Sequence, residues 1–104
     1  MIYEERDYRI KAGQLGEFVK IYGEFGLPLQ KKHLGRFIAY FTTEIGELNH
    51  VVALWGYETL GDRQTRRNAM LADPEWQGYL DRVRGMIDIQ TTRMLNPVPY
   101  SPLQ

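Results

Sequence analysis

Residues 50–60, HVVALWGYETL, constrain the fold of this chain more than any other stretch. Their β-branched and aromatic content reads as a strand. One alternating set is Val51, Ala53, Trp55 and Tyr57; the other is His50, Val52, Leu54 and Gly56. Both sets are largely apolar, whereas a half-buried antiparallel strand shows one wet face. A chain of 104 residues can cover one face of a sheet with its own helices. The second face needs another cover, and a second copy of the chain is expected to supply it.

The remaining elements follow from periodicity. Residues 2–10, IYEERDYRI, alternate as a first strand, with Ile2, Glu4, Arg6, Tyr8 and Ile10 on one face. A helix is expected from about Gln14 to Phe25, because Leu15, Phe18, Val19 and Tyr22 recur at spacings of three and four. Gly26 and Pro28 punctuate its end, and 27–35 reads as a connector with at most a short helical turn. Residues 36–45, RFIAYFTTEI, form a second strand, and 50–58 a third, joined by a turn as an antiparallel hairpin. Thr59 is placed to cap a helix over 60–71. Asp73 caps another, with Pro74 at its first position and Trp76, Tyr79, Leu80 and Val83 as its apolar stripe. Residues 87–95, IDIQTTRML, make a fourth strand, and the proline-rich tail NPVPYSPLQ is extended. The order β-α-β-β-α-β is that of the ferredoxin-like plait, an α+β fold in which helices cover one face of a four-stranded antiparallel sheet. Residues 1–104 are expected to form one domain.

Composition excludes several classes. Thirteen basic and thirteen acidic residues cancel, so the positive field of a general nucleic-acid or membrane-surface binder is missing. There is no cysteine, which rules out disulfides, thiol catalysis and Cys-type zinc sites and fits a reducing cytosol. No apolar run is long enough to span a bilayer. The N-terminal sequence MIYEERDYRI begins directly as a strand and carries no leader pattern, so the expected location is the cytoplasm.

The segments IYEERDYRIKAGQLGEF, GLPLQKKHLG, YFTTEIGELNHVVALWGYETLGDR and DPEWQGYL together resemble the NIPSNAP family, within the larger group of dimeric α/β-barrel proteins that includes the antibiotic-biosynthesis monooxygenases. The resemblance implies the ferredoxin-like fold and a homodimer joined through the open sheet faces. It implies no reaction, since NIPSNAP proteins as a family have none established. Related barrels place their sites between sheet and helices.

Against that background the polar residues can be weighed. His33 lies where helical sequence gives way to the second strand; it is either a general acid or base above a pocket or a helix-end residue bonded to local carbonyls. His50, at the start of the third strand, reads as an edge residue. Glu4, Arg6 and Tyr8 share a strand face, and on a doubly covered sheet they must be paired or must line a wet cavity. Trp55 and Tyr57, with Tyr40 and Phe37 or Phe41 nearby, suit either a core or a small-molecule pocket. Arg63 and Arg67 share a helix face and Arg66 is adjacent; a solvated face is the first reading of them and an anion site the second. Two histidines without ligand spacing give no metal site, no cofactor is expected, and the single serine, Ser101, lies in the tail.

The expected function is binding of a small aromatic or anionic molecule in a pocket between sheet and helices, with Arg6, Tyr8, His33, Tyr40, Trp55 and Tyr57 as candidate contacts. The alternative is a cofactor-independent monooxygenase- or isomerase-type enzyme acting on an aromatic or polyketide-like substrate. In it His33, Arg6, Tyr8 and Trp55 would handle proton transfer, anion stabilisation and stacking.

Overall fold

The computed structural model describes residues 1–104. Four strands, β1 (Ile2–Ile10), β2 (Arg36–Thr42), β3 (His50–Tyr57) and β4 (Ile87–Leu95), form one sheet in the order β2-β3-β1-β4. Every pairing is antiparallel. The helices α1 (Leu15–Ile21), α2 (Leu27–His33), α3 (Leu60–Leu71) and α4 (Pro74–Arg82) pack on one face. This is the ferredoxin-like arrangement read from the element order.

Two expected boundaries move. Gly26 and Pro28 do not end the first helical segment: α1 passes through a π-helical turn, Tyr22–Gly26, directly into α2. Pro28 sits within the first two positions of α2, where its missing N–H costs nothing because the first amides of a helix have no intrahelical acceptor. The connector expected over 27–35 is therefore largely helix. Strand β2 stops at Thr42 instead of Ile45; the side chain of Ile45 stands in solvent in the turn that follows. The helix starts occur where capping chemistry places them. Thr59 Oγ1 accepts from the Asp62 amide at 3.0 Å, and Asp73 Oδ1 from the Glu75 amide at 3.0 Å.

The parity of β3 is now assigned. Val51, Ala53, Trp55 and Tyr57 are buried beneath the helices, packed with Phe18, Tyr22, Met70, Trp76 and Tyr79. Register then sets β1: Glu4 lies opposite Trp55, Arg6 opposite Ala53 and Tyr8 opposite Val51, so all three face the helices. In β2 the register shifts between Phe37 and Ala39. That bulge lets Phe37 and Tyr40, three apart in sequence, both face inward, opposite Trp55 and Ala53, while Phe41 points outward.

The outer face is more polar than β3 alone suggests. Glu5 pairs with Arg93, Arg9 with Asp88 at 2.8 Å, and Asp7 Oδ1 lies 2.6 Å from His50 Nδ1. One end is covered by the chain's own tail: Tyr3, Leu54 and Leu95 form a hollow with Pro97, Val98 and Leu103, and Tyr3 Oη donates to the Gln104 carbonyl at 3.0 Å. The expected second copy is thus not the sole possible cover, because the prolines turn the tail back over the sheet. Phe41, directly paired with Val52 across β2 and β3, stays exposed on this face.

Candidate functional site: a cavity between sheet and helices

A cavity of about 220 Å³ lies between the sheet and the helices. Its size falls below the roughly 300–1,000 Å³ of drug-sized sites, so it suits one or two rings. The sheet contributes Arg6, Tyr8, Tyr40 and Trp55, and the helices contribute Tyr22, Arg67, Trp76 and Tyr79 to its wall.

The π-helical turn positions the helix side. It presents Tyr22 inward, where its ring stacks on Tyr40 with centroids 4.6 Å apart. Tyr22 Oη donates to Gln30 Oε1 at 2.5 Å, which fixes the ring against α2. Tyr79 meets Tyr22 edge-on at 6.1 Å. That approach depends on Gly26: a Cβ there would lie 2.7 Å from the Tyr79 ring and 2.8 Å from the Tyr22 ring. Burial raises the pKa values of Tyr22, Tyr40 and Tyr79 above the ordinary phenolic value. Their hydroxyls are therefore neutral hydrogen-bonding groups at physiological pH.

Beside the cavity runs a cluster of guanidiniums around one carboxylate, of which Arg6 and Arg67 line the cavity itself. Glu4 is fully buried. Its Oε2 accepts from Arg63 Nε at 2.7 Å and from Arg63 Nη2, and from Arg6 Nη1 at 3.3 Å. Arg6 Nε also donates to Tyr8 Oη at 2.7 Å. Burial by itself would lower the Arg6 pKa, but its electrostatic interactions and hydrogen bonds with Tyr8 and Glu4 outweigh that and the value is raised. Arg67 lines the cavity from α3, partly buried. Its pKa is lowered, first by desolvation and then by repulsion from Arg6. Three buried polar atoms find no protein partner: Glu4 Oε1, Trp55 Nε1 and Tyr57 Oη. Desolvation, followed by the nearby Glu4 charge, pushes the Tyr57 phenol up to about 12.

The structure brings together four of the six residues read as candidate contacts: Arg6, Tyr8, Tyr40 and Trp55. Tyr57 is buried beside Glu4's end of the sheet and does not line the cavity. His33 is also outside it. Its Nε2 lies 2.8 Å from Asp73 Oδ2, tying the end of α2 to the cap of α4. His33 does stand at a helix end, but its partner is the carboxylate of Asp73 on another element and not a local carbonyl. The first reading of the arginines is corrected as well: Arg63 and Arg67 turn toward the sheet, and only Arg66 answers a neighbouring acid, Asp62 at 2.9 Å. Glu4 lies fifty-nine positions before Arg63 in sequence, so spacing along α3 could not reveal it. No three His, Cys, Asp or Glu side chains gather in a set able to hold a metal ion, and no helix is long and apolar enough to cross a membrane.

Known proteins of similar sequence and structure agree with this architecture. The NIPSNAP family model matches residues 3–102. Protein NipSnap of Drosophila melanogaster is 31% identical over 103 residues, covering 99% of this chain and 37% of that protein. The chain spans less than half the length of the NipSnap relatives from Drosophila, Dictyostelium discoideum and Homo sapiens. Among solved structures, protein Atu4242 of Agrobacterium tumefaciens, a NIPSNAP family protein of unknown function, superposes with a TM-score of 0.97 at 38% identity over the full length of both chains. An antibiotic biosynthesis monooxygenase shares the fold alone, with a TM-score of 0.65 and 14% identity over 95% of this chain and 100% of the other. The sequence of elements, the sheet order and these matches together make the chain a member of the NIPSNAP family.

Proposed function

We propose that this protein binds a small aromatic molecule in the cavity between sheet and helices, and that it does so as a homodimer joined through the outer sheet face. The observation that carries the binding reading is the cavity itself. Its walls are rings held in fixed orientations by stacking and by the Tyr22–Gln30 hydrogen bond, and polar groups of Arg6 and Tyr8 converge on it from one strand. A largely apolar, preformed hollow with a few oriented polar groups is the usual form of a small-molecule site. Ring-on-ring contact would supply affinity, and the polar groups would set orientation.

The dimer reading is supported by Phe41, 58% exposed, and Ile89, 46% exposed, on the outer face, and by the modest core a 104-residue chain can build alone. A thermal-shift screen of one- and two-ring aromatics, neutral and acidic, tests the binding reading. Stabilisation of wild type that is lost in Ala53→Leu, which fills the cavity from β3, supports it. No stabilisation by any compound overturns it.

A further inference from the structure

We infer that the cavity selects a small organic acid, and that Arg67 is the residue that recognises its carboxylate. This rests on the cavity reading above and narrows the class of ligand.

Arg6, Arg63 and Arg67 converge on the space around one carboxylate, Glu4. Arg63 gives two donors to Glu4 Oε2, and Arg6 divides its donors between Glu4 and Tyr8. Arg67 has neither a hydrogen bond nor an ion pair to any protein group, although it lines the cavity. Most other arginines are partnered: Arg9 by Asp88, Arg66 by Asp62, Arg84 by Asp81, Arg93 by Glu5, and Arg82 by the ring of Phe25. Arg36 also lacks a partner, but it stands exposed at the start of β2, where water suffices.

A guanidinium keeps its proton at physiological pH, so a partly desolvated one beside two others favours an anion over water. Its lowered pKa has the same two causes, desolvation and the Arg6 charge. Residues 63, 67 and 71 follow at intervals of four on α3; Arg63 and Arg67 turn toward the sheet, and Leu71, largely exposed, borders the cavity. Arg63 is used by Glu4, Leu71 adds an apolar wall, and Arg67 between them is left with five donors. A carboxylate matches that fork in two parallel hydrogen bonds. The rings of Tyr22, Tyr40, Trp55 and Trp76 would then enclose the apolar body of the acid, and the cavity's volume limits that body to one or two rings.

The test compares 2-naphthoate with its neutral isostere 2-naphthamide by titration calorimetry on the full chain, as wild type, Arg67→Met and Arg67→Gln. Wild type is expected to bind the acid at least about tenfold more tightly than the amide, the scale of one charge-assisted hydrogen bond. Both variants should bind the two compounds alike, at the amide's affinity, and should melt unliganded no lower than wild type. Equal binding of acid and amide by wild type, or a preference for the acid that survives in a folded variant, overturns the role of Arg67 and leaves the cavity reading standing. Binding of neither compound to wild type overturns this inference, and the screen of one- and two-ring aromatics decides the cavity reading separately. Should one variant fail to fold, the other gives the comparison.

Discussion

Arg63 and Glu4 lock the helix layer to the sheet. Arg63 reaches from α3 to the central strand β1 and donates Nε to Glu4 Oε2 at 2.7 Å, and the carboxylate is wholly enclosed. Arg63→Met leaves that carboxylate with Arg6 as its one charged partner. Breaking a buried pair from one side costs about 3–5 kcal/mol, and the residual Arg6 contact puts this case near the lower end. In a domain of this size the melting temperature should fall by more than about 10 °C. Differential scanning calorimetry checks it, and a shift within about 2 °C would mean that water replaces Arg63 at no cost.

Asp73 gives a pH dependence of known sign. Its carboxyl is held below its ordinary value of 3.8, first by the hydrogen bond with His33, then by the Glu75 amide. A carboxyl with a depressed folded-state pKa stabilises fully above its unfolded value, and that contribution is lost as pH falls through the folded value. The melting-temperature difference between wild type and Asp73→Asn should therefore be present at pH 6 and shrink below about pH 4. Melts over pH 2.5–6 measure it; a difference independent of pH would show that the charge of Asp73 contributes nothing.

Trp76 begins the apolar stripe of α4 and is 9% exposed. Truncating a buried Trp costs about 3–5 kcal/mol, a large share of the stability of a small domain. Trp76→Ala should lose soluble yield and melting temperature together, and should weaken aromatic binding through the same missing wall. Urea titration with and without ligand separates the two effects. Unchanged stability would place Trp76 outside the core.

Two glycines should respond in opposite directions. A Cβ on Gly35 would lie 2.2 Å from the Gly56 carbonyl oxygen, so Gly35→Ala must push β2 away from β3, and unfolding at lower denaturant is expected. A Cβ on Gly78, in the middle of α4, meets nothing within 4 Å. Gly78→Ala should stabilise by about 0.5–1 kcal/mol, since alanine loses less backbone entropy in a helix. Paired urea midpoints check both signs at once.

Phe41 tests the dimer. At 58% exposed it should accept Asp within a single chain at little cost, whereas a charge buried without a partner in an interface is strongly destabilising. Sedimentation equilibrium at micromolar concentration should find twice the chain mass for wild type and a lower mass for Phe41→Asp. A wild-type monomer with concentration-independent melting would remove the dimer from the proposal.

Local rules made much of this fold readable in the sequence. Alternation in β1 and β3, the Thr59 and Asp73 caps, and the Trp76–Tyr79–Val83 stripe each depend on residues within one turn or one strand. They carried the element order and hence the plait. The run through residues 22–33 is the exception, because Gly26 and Pro28 read locally as a stop. A π turn with Pro28 near the start of the following helix satisfies the same residues without ending the helical path.

The candidate site was legible in part. Arg6, Tyr8, Tyr40 and Trp55 could be named because they lie on strands whose faces alternate. That Phe37 and Tyr40 share a face could not, because a bulge at residue 38 breaks the period of two. The side of β3 that meets the helices was also undetermined, since both alternating sets are apolar and pattern alone cannot choose between two apolar faces.

What the sequence determined by itself is the order of elements, their caps and the family they belong to, because these rest on short-range preferences written along the chain. Only the tertiary structure decided that Arg63 completes Glu4 fifty-nine positions away, that His33 serves Asp73, and that Arg67 enters the cavity without a partner. The physical reason is that a charge takes its role from whatever folding places within about 4 Å of it, and that neighbourhood is assembled from strands and helices with no sequence relation to one another.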